Sequence, residues 1–115
     1  MKHASPYIFD IDGDEFQQRV LDASHQQPVL VDFWADWCSP CLAIAPQLAK
    51  VIPEYEGQVL LAKIDADENM KLAGKYRLRG FPTIIMFVNG EEVDRFGGMK
   101  SAEAIRHFID GNLPK

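Results

Sequence analysis

The two cysteines of the chain, Cys38 and Cys41, stand between two contrasting segments. Residues 29–35 before them form a strand-like apolar run, and residues 42–48 after them have a helical pattern. The first turn of a helix has unpaired backbone N–H groups and the positive end of the helix dipole. A thiolate at that position is stabilised, so its pKa falls. We therefore expect Cys38 to be exposed at the helix start and to ionise readily.

Cys41 follows one helical turn later on the same face, within reach of the Cys38 sulfur, so the pair can close a small disulfide. Pro40 suits a first turn, where no N–H donor is needed. In such a pair one thiol attacks a disulfide and the other resolves the mixed disulfide that results. The spacing therefore predicts thiol–disulfide exchange.

The cysteine pair has two alternative interpretations, a structural bridge and a metal site. A bridge across two residues closes a very short loop and stabilises little. Zinc sites and iron–sulfur clusters take four ligands, whereas this chain has two cysteines and three histidines without ligand spacing. A metal would therefore need two chains to share one ion, and we expect none.

Asp32 lies within the apolar run, which has apolar residues on both of its alternating faces. A strand of that kind is central and covered on both sides, so Asp32 should be buried. Burial of a carboxylate is costly and raises its pKa, which makes Asp32 a functional candidate. The alternative for Asp32 is a carboxylate solvated at the end of an edge strand. The nearby Asp36 lies closer to the helix start, and we interpret it as solvated.

Length and charge limit the classes of protein to which the chain can belong. Its 115 residues suit a single domain, 1–115. The net charge of −5 and the lack of a basic run argue against nucleic acid as a partner. No apolar run approaches the roughly 20 residues of a membrane span, and no secretory signal is visible. With a single cysteine pair, we expect a cytoplasmic protein in which Cys-x-x-Cys does redox work.

The periodicity of apolar residues predicts the element order β-α-β-α-β-α-β-β-α. The first helix is expected to begin at Asp14 as N-cap, and Asn89-Gly90 to form a type I′ hairpin turn. The helix that follows Cys41 should run to about Tyr55. Its predicted core stripe consists of Leu42, Ala45, Leu48, Ile52 and Tyr55. Alternating strands and helices imply parallel crossovers, so we predict an α/β fold: a mixed central β-sheet flanked by helices on both faces.

Two segments of the chain resemble the signatures of the thioredoxin family. These segments are Trp37-Cys38-Ser39-Pro40-Cys41 and Gly80-Phe81-Pro82-Thr83. The resemblance extends from about Tyr7 to Leu113 and implies the thioredoxin fold. Ser39 departs from the glycine usual at its position, which affects the redox potential. Phe81 departs from the commoner aliphatic residue.

The resemblance also assigns roles to the residues around the cysteines. It implies that Pro82 is cis and packs against the pair, and that the backbone before it, at Phe81, pairs with the substrate strand. It implies that Asp32 deprotonates Cys41 and that Lys63 lies near Asp32.

Two further residues receive roles on the surface. The resemblance implies that Trp37 shields the site. It also implies that Gly97, followed by Gly98, forms part of a flat surface on which a partner chain can approach.

The function that the family implies is protein-disulfide reduction, with no bound cofactor. Electrons would come from NADPH through a flavin-dependent thioredoxin reductase, and the partners would be disulfide-containing proteins. We expect a monomer. One rival reading is the thioredoxin-like domain of a bacterial co-chaperone, which the segments 61–65 and 103–114 also resemble and which would bind clients. A second is a disulfide oxidant, which Ser39 permits but which would work in secreted compartments.

Overall fold

The computed structural model describes residues 3–114, in which five strands form one sheet. The strands are β1 (Ile8–Asp10), β2 (Val29–Trp34), β3 (Leu60–Asp65), β4 (Thr83–Val88) and β5 (Glu91–Gly97), and the α-helices are α1 (Ser39–Val51), α2 (Met70–Lys75) and α3 (Ala102–Asn112). The spatial order is β1-β3-β2-β4-β5. Strand β2 is central, as its two apolar faces predicted.

The sheet is mixed. Strands β1 and β2 both run parallel to β3, whereas β4 is antiparallel to β2 and β5 is antiparallel to β4. The β4–β5 turn has positive φ at both Asn89 (52°) and Gly90 (81°), which is the type I′ geometry predicted for this dipeptide. The predicted crossovers and hairpin are therefore both present.

Each face of the sheet is covered by its own apolar cluster. On one face, Leu30 and Leu61 pack with residues of α1 and α3, among them Ile44 and Ile105. On the other face, Val31 packs with the helical residues that precede β2, with the half-buried Leu72 of α2 and with Tyr76 just after it. Helices on both faces were predicted, and this architecture is confirmed.

The helical segment before β2 differs from the prediction of one α-helix capped by Asp14. It consists of a 3₁₀ turn, a π-helical stretch and a second 3₁₀ turn, at Gly13–Glu15, Gln17–Asp22 and Ala23–His25. Its N-cap is Asp12, whose backbone N–H donates to Glu15 Oε1 at 3.0 Å. Asp12 takes the cap because it has a glutamate three residues later, the pairing that a capping box requires.

The inner face predicted for the helix after Cys41 is confirmed at Leu48 and Ile52, which are buried, but it is wrong in the first turn. Leu42, expected in the core, is 70% exposed, whereas the buried residues are Cys41, Ile44, Leu48 and Val51. Because Cys41 points inward, the next residue, Leu42, points to solvent. The helix continues through Pro46 to Val51 and is followed by a 3₁₀ turn, Ile52–Tyr55.

The last helix has a serine as its N-terminal cap. Ser101 is its N-cap, with Oγ accepting from the Ala104 N–H at 3.1 Å. Helix α3 continues past Gly111 to Asn112. Across residues 3–114, no helix combines the length and the apolar character that crossing a membrane requires.

Candidate active site

Cys38 and Cys41 form a disulfide at the N-terminus of α1, with their Cα atoms 5.3 Å apart. Cys38 is the N-cap residue, in an extended conformation, and its Sγ accepts a hydrogen bond from the Cys41 N–H at 3.2 Å. One of the unpaired N–H groups of the first turn is therefore directed at the Cys38 sulfur. The same arrangement stabilises a thiolate at Cys38 when the pair is reduced.

Both cysteines are buried, which corrects the expectation that Cys38 is exposed. Cys38 is 4% exposed and Cys41 6%. Trp34 and Phe81 pack against a small cluster that the two cysteines form with Ala35. These two residues come from the end of β2 and from the segment before β4, so the cysteines are buried by tertiary contacts. Ser39 and Pro40, by contrast, are exposed.

The Phe81–Pro82 peptide bond is cis, as the resemblance implied. Phe81 is half-buried against the cysteine pair, and Pro82 is buried. The carbonyl of Pro82 accepts from the Gly98 N–H at 2.9 Å, and Thr83 Oγ1 donates to the Gly80 carbonyl at 2.7 Å. These two bonds hold the segment before β4 in place beside the cysteines.

Trp37 lies next to Phe81, with ring centroids 5.7 Å apart in an edge-to-face arrangement. It remains 68% exposed, and its Nε1 donates to Asp67 Oδ2 at 2.8 Å. The indole is therefore fixed at both ends and forms part of the outer surface beside the site.

Asp32 lies in the buried row of β2, as predicted, and is 2% exposed. Within the described residues its Oδ1 has no hydrogen-bond partner. Burial raises the pKa of the Asp32 carboxyl from its ordinary 3.8 to about 6, and the positive charge of Lys63 opposes this shift. Lys63 is the direct partner of Asp32 in the β2–β3 register and is half-buried. The two groups therefore interact electrostatically, as the resemblance implied.

The sequence reasoning did not single out Trp34 as a site residue. Its indole Nε1 is buried and, among residues 3–114, has no hydrogen-bond partner. It projects from the same face of β2 as Asp32 and packs against the cysteine cluster. The alternation of β2 contained this signal, because Trp34 is two residues beyond Asp32.

Gly97 is exposed at the end of β5 and opposite Thr83. A Cβ added there would lie 3.7 Å from the Pro82 carbonyl oxygen, an ordinary contact. The neighbouring Gly98 has φ +82°, which favours glycine. The glycine that the backbone requires is therefore Gly98, the donor to Pro82, and nothing in the sequence distinguished it from Gly97.

A disulfide closed within the first turn of a helix and packed against the residue before a cis-proline, with a buried carboxyl group in the preceding strand, is typical of a thiol–disulfide exchange domain. The Thioredoxin family model matches residues 8–111. Thioredoxin C-2 of Corynebacterium nephridii is 42% identical over 109 residues, which cover 95% of this chain and 99% of the relative. Thioredoxin of Pseudomonas aeruginosa is 38% identical over 110 residues, with coverage of 95% and 99%.

A mitochondrial relative is longer than this chain. Mitochondrial thioredoxin of Bos taurus is 40% identical over 98 residues, which cover 85% of this chain and 58% of the relative. The chain thus spans a little over half the length of that protein. From the family model and these relatives together, the chain belongs to the thioredoxin family, whose members are thiol–disulfide oxidoreductases.

Proposed function

We propose that this protein is a protein-disulfide reductase that acts by dithiol–disulfide exchange through Cys38 and Cys41. The observation that carries the proposal is the Cys38–Cys41 disulfide itself, which lies at the N-terminus of α1 and is covered by Phe81. A sulfur pair at a helix start beside a cis-proline has the geometry that exchange needs.

The reaction begins with the reduced pair. The Cys38 thiolate, stabilised by the N-terminus of α1 and the Cys41 N–H, attacks one sulfur of a substrate disulfide. The substrate S–S bond breaks, a mixed disulfide to Cys38 forms, and the released substrate sulfur takes up a proton.

Resolution of the mixed disulfide requires a thiolate at Cys41. Asp32, whose pKa is raised to about 6, is mostly ionised above neutral pH and accepts the Cys41 proton. Cys41 then attacks Cys38 Sγ and releases the second substrate thiol. Two electrons and two protons pass to the substrate, and the enzyme is left with the Cys38–Cys41 disulfide. Lys63 favours the ionised form of Asp32.

The surface around the disulfide receives the substrate. An extended substrate segment pairs with the backbone at Phe81, before Pro82, as an added strand. The exposed side chains of Trp37, Ser39 and Pro40 border this surface on one side, and Gly97 borders it on the other.

The electron source and the setting follow from the same assignment. The protein itself holds no cofactor and is returned to the dithiol state by a flavin-dependent thioredoxin reductase that uses NADPH. It works as a monomer on disulfide-containing proteins in the cytoplasm, a reducing compartment in which such thiols stay reduced.

The first experiment measures NADPH consumption with a thioredoxin reductase and a disulfide-bonded protein. We expect turnover with the native protein and none with Cys38→Ser. If the native protein gives no turnover although its cysteines still form a disulfide, the reductase proposal is wrong. The co-chaperone-like, client-binding reading then takes its place.

A second experiment separates the roles of the two cysteines. Cys41→Ser removes the resolving thiol, so the mixed disulfide between Cys38 and the substrate should accumulate on a non-reducing gel. Cys38→Ser should trap none. Equal trapping by the two variants would contradict the assignment of Cys38 as the attacking residue.

A further inference from the structure

A groove of about 490 Å³ adjoins the active site at Phe81 and Pro82. One wall is the segment 79–83, which contains Phe81 and Pro82, and the other wall is residues 95–98, with Arg77 at one end. Phe81 belongs to both places, because it lines the groove and packs against the cysteine pair. A substrate segment that pairs with the backbone at Phe81 therefore continues along this groove.

Three arginines line the groove, and no aspartate or glutamate does. Arg95 is held in place: its guanidinium is paired with both oxygens of Glu92, and its Nη1 donates to the Tyr76 carbonyl at 2.9 Å. Its charge is therefore largely neutralised within the protein. Arg95 serves to fix the chain that leads into Arg77 and Arg79.

Arg77 and Arg79 differ from Arg95 in having no such partner. Both are exposed, and within residues 3–114 neither has an ion pair or a side-chain hydrogen bond. Arg77 directly follows Tyr76, whose carbonyl accepts from Arg95, and Arg79 lies two residues further along, so both guanidinium groups are available beside an anchored segment. A guanidinium binds a carboxylate with two parallel hydrogen bonds, which a lysine does not reproduce.

The charge of this groove is positive, opposite in sign to the net charge of the whole protein. The net charge of the chain is −5, so its overall field repels acidic segments and attracts basic ones. Two unpaired cations in a groove beside the disulfide reverse that preference locally. A measured preference for acidic substrates would thus be caused by the charge of the groove and not by the net charge of the protein.

We propose that Arg77 and Arg79 select disulfide substrates that carry acidic side chains close to the reactive cysteine. The inference rests on the proposed exchange function and names a substrate class for it. A strand advances about 3.3 Å per residue, so a segment paired at Phe81 brings side chains about two to four residues from its cysteine alongside Arg79 and Arg77.

The test uses three synthetic peptide disulfides that differ only at those positions, with two Glu, two Gln or two Lys. The rate constant for oxidation of the reduced protein is measured for each. At low ionic strength we expect the Glu peptide to react about 3- to 10-fold faster than the Gln peptide, and the Lys peptide most slowly. The difference should shrink in about 0.5 M salt because the charges are exposed.

Two double variants locate the effect. Arg77→Gln with Arg79→Gln should bring the Glu/Gln rate ratio close to one, and Arg77→Glu with Arg79→Glu should invert it. Lys50→Gln with Lys71→Gln removes the same charge from exposed residues outside the groove and should leave the ratio as it was. Circular dichroism of each variant verifies that the fold is retained.

Three outcomes would overturn the inference. Equal rates of the native protein with the Glu, Gln and Lys peptides would show that the groove does not select substrates by charge. Loss of the Glu/Gln rate ratio in the double lysine variant would show that the ratio depends on net charge. If the native protein does not reduce even the Gln peptide, the proposed exchange function itself is wrong. The Gln peptide thus separates failure of the inference from failure of the proposed function.

Discussion

Leu30 and Asp32 lie two residues apart on the same face of β2, and both are almost inaccessible to solvent, at 0% and 2% exposed. Their surroundings differ completely. Leu30 belongs to a large apolar cluster with the inner side chains of α1 and α3. Asp32 has a charged partner, Lys63, beside it, and among the described residues its Oδ1 has no hydrogen-bond partner. One face of the sheet therefore contains an apolar region and a polar region.

The difference between the two regions lies in what burial does to stability. In the apolar region burial is favourable, at about 25 cal/mol for each Å² removed from water. In the polar region the Asp32 carboxylate is desolvated, and the Trp34 indole N–H has no hydrogen-bond partner within residues 3–114. Both features destabilise the fold. Trp34 of this region packs against the cysteine cluster, and Asp32 is the proton acceptor in the proposed reaction, so the cost is explained by chemistry and not by folding.

The largest effect on stability should come from the apolar region. Ile44→Ala removes most of a side chain that is 0% exposed, so it should destabilise the protein by about 2–5 kcal/mol through lost burial and a cavity. The measurement is urea unfolding of the oxidised protein at pH 8.

Leu42→Ala is the matched control on the same helix. Leu42 is 70% exposed, so the same kind of truncation should change the free energy of unfolding by less than about 0.5 kcal/mol. Comparable losses from the two variants would mean that the inner face of α1 has been assigned incorrectly.

Leu42 also shows where sequence patterns stop being informative. The central position of β2 and the burial of Asp32 followed from alternation, and the hairpin followed from Asn89-Gly90, because both signals are local. The inner face of α1 was predicted correctly at Leu48 but not in the first turn, where Cys41 is buried and Leu42 is exposed. Its phase depends on Cys41 packing against the sheet, which no property of the helix alone reveals.

The surroundings of the cysteines depend on contacts between distant parts of the chain. Cys38 was expected to be exposed, but Phe81, about forty residues later, covers it. Trp37 is held by Asp67, thirty residues away. Neither contact has a sequence signal, and cis-Pro82 was expected from the family resemblance, since trans is the usual state of such a bond.

In the polar region, neutralising Asp32 should stabilise the protein, whereas Ile44→Ala in the apolar region destabilises it. The pKa of Asp32 is raised from 3.8 to about 6 in the fold, so its ionised form costs stability. That cost is absent below pH 3.8, grows as pH rises, and is complete above pH 6. Asp32→Asn should therefore stabilise the protein at pH 8 by up to about 3 kcal/mol relative to its effect at pH 3.

The same variant should slow catalysis while it stabilises the fold. Without a carboxylate to accept the Cys41 proton, the mixed disulfide should persist longer, and the rise of its resolution rate through about pH 6 should disappear. Urea unfolding across pH and single-turnover kinetics measure the two effects. A stability change that does not vary with pH would show that Asp32 keeps its ordinary pKa.

The smallest effect should come from Lys63, which modulates Asp32 from the next strand. Its charge lowers the pKa of Asp32, so Lys63→Gln should raise that pKa further and move the midpoint of the resolution rate to higher pH. At pH 8 the loss of stability should be about 1 kcal/mol or less, because Lys63 is partly solvated. At pH 3, where Asp32 is protonated, this contribution should vanish.

A double-mutant cycle tests whether Lys63 acts through Asp32 or independently. In the Asp32→Asn background, Lys63→Gln should have no pH-dependent effect, because the charge that it influences is gone. An unchanged effect in that background would mean that Lys63 stabilises the protein through packing of its aliphatic stem. In that case the polar region would reduce to Asp32 and Trp34 alone. The contrast with the apolar region would then rest on two unpartnered groups and not on a coupled pair.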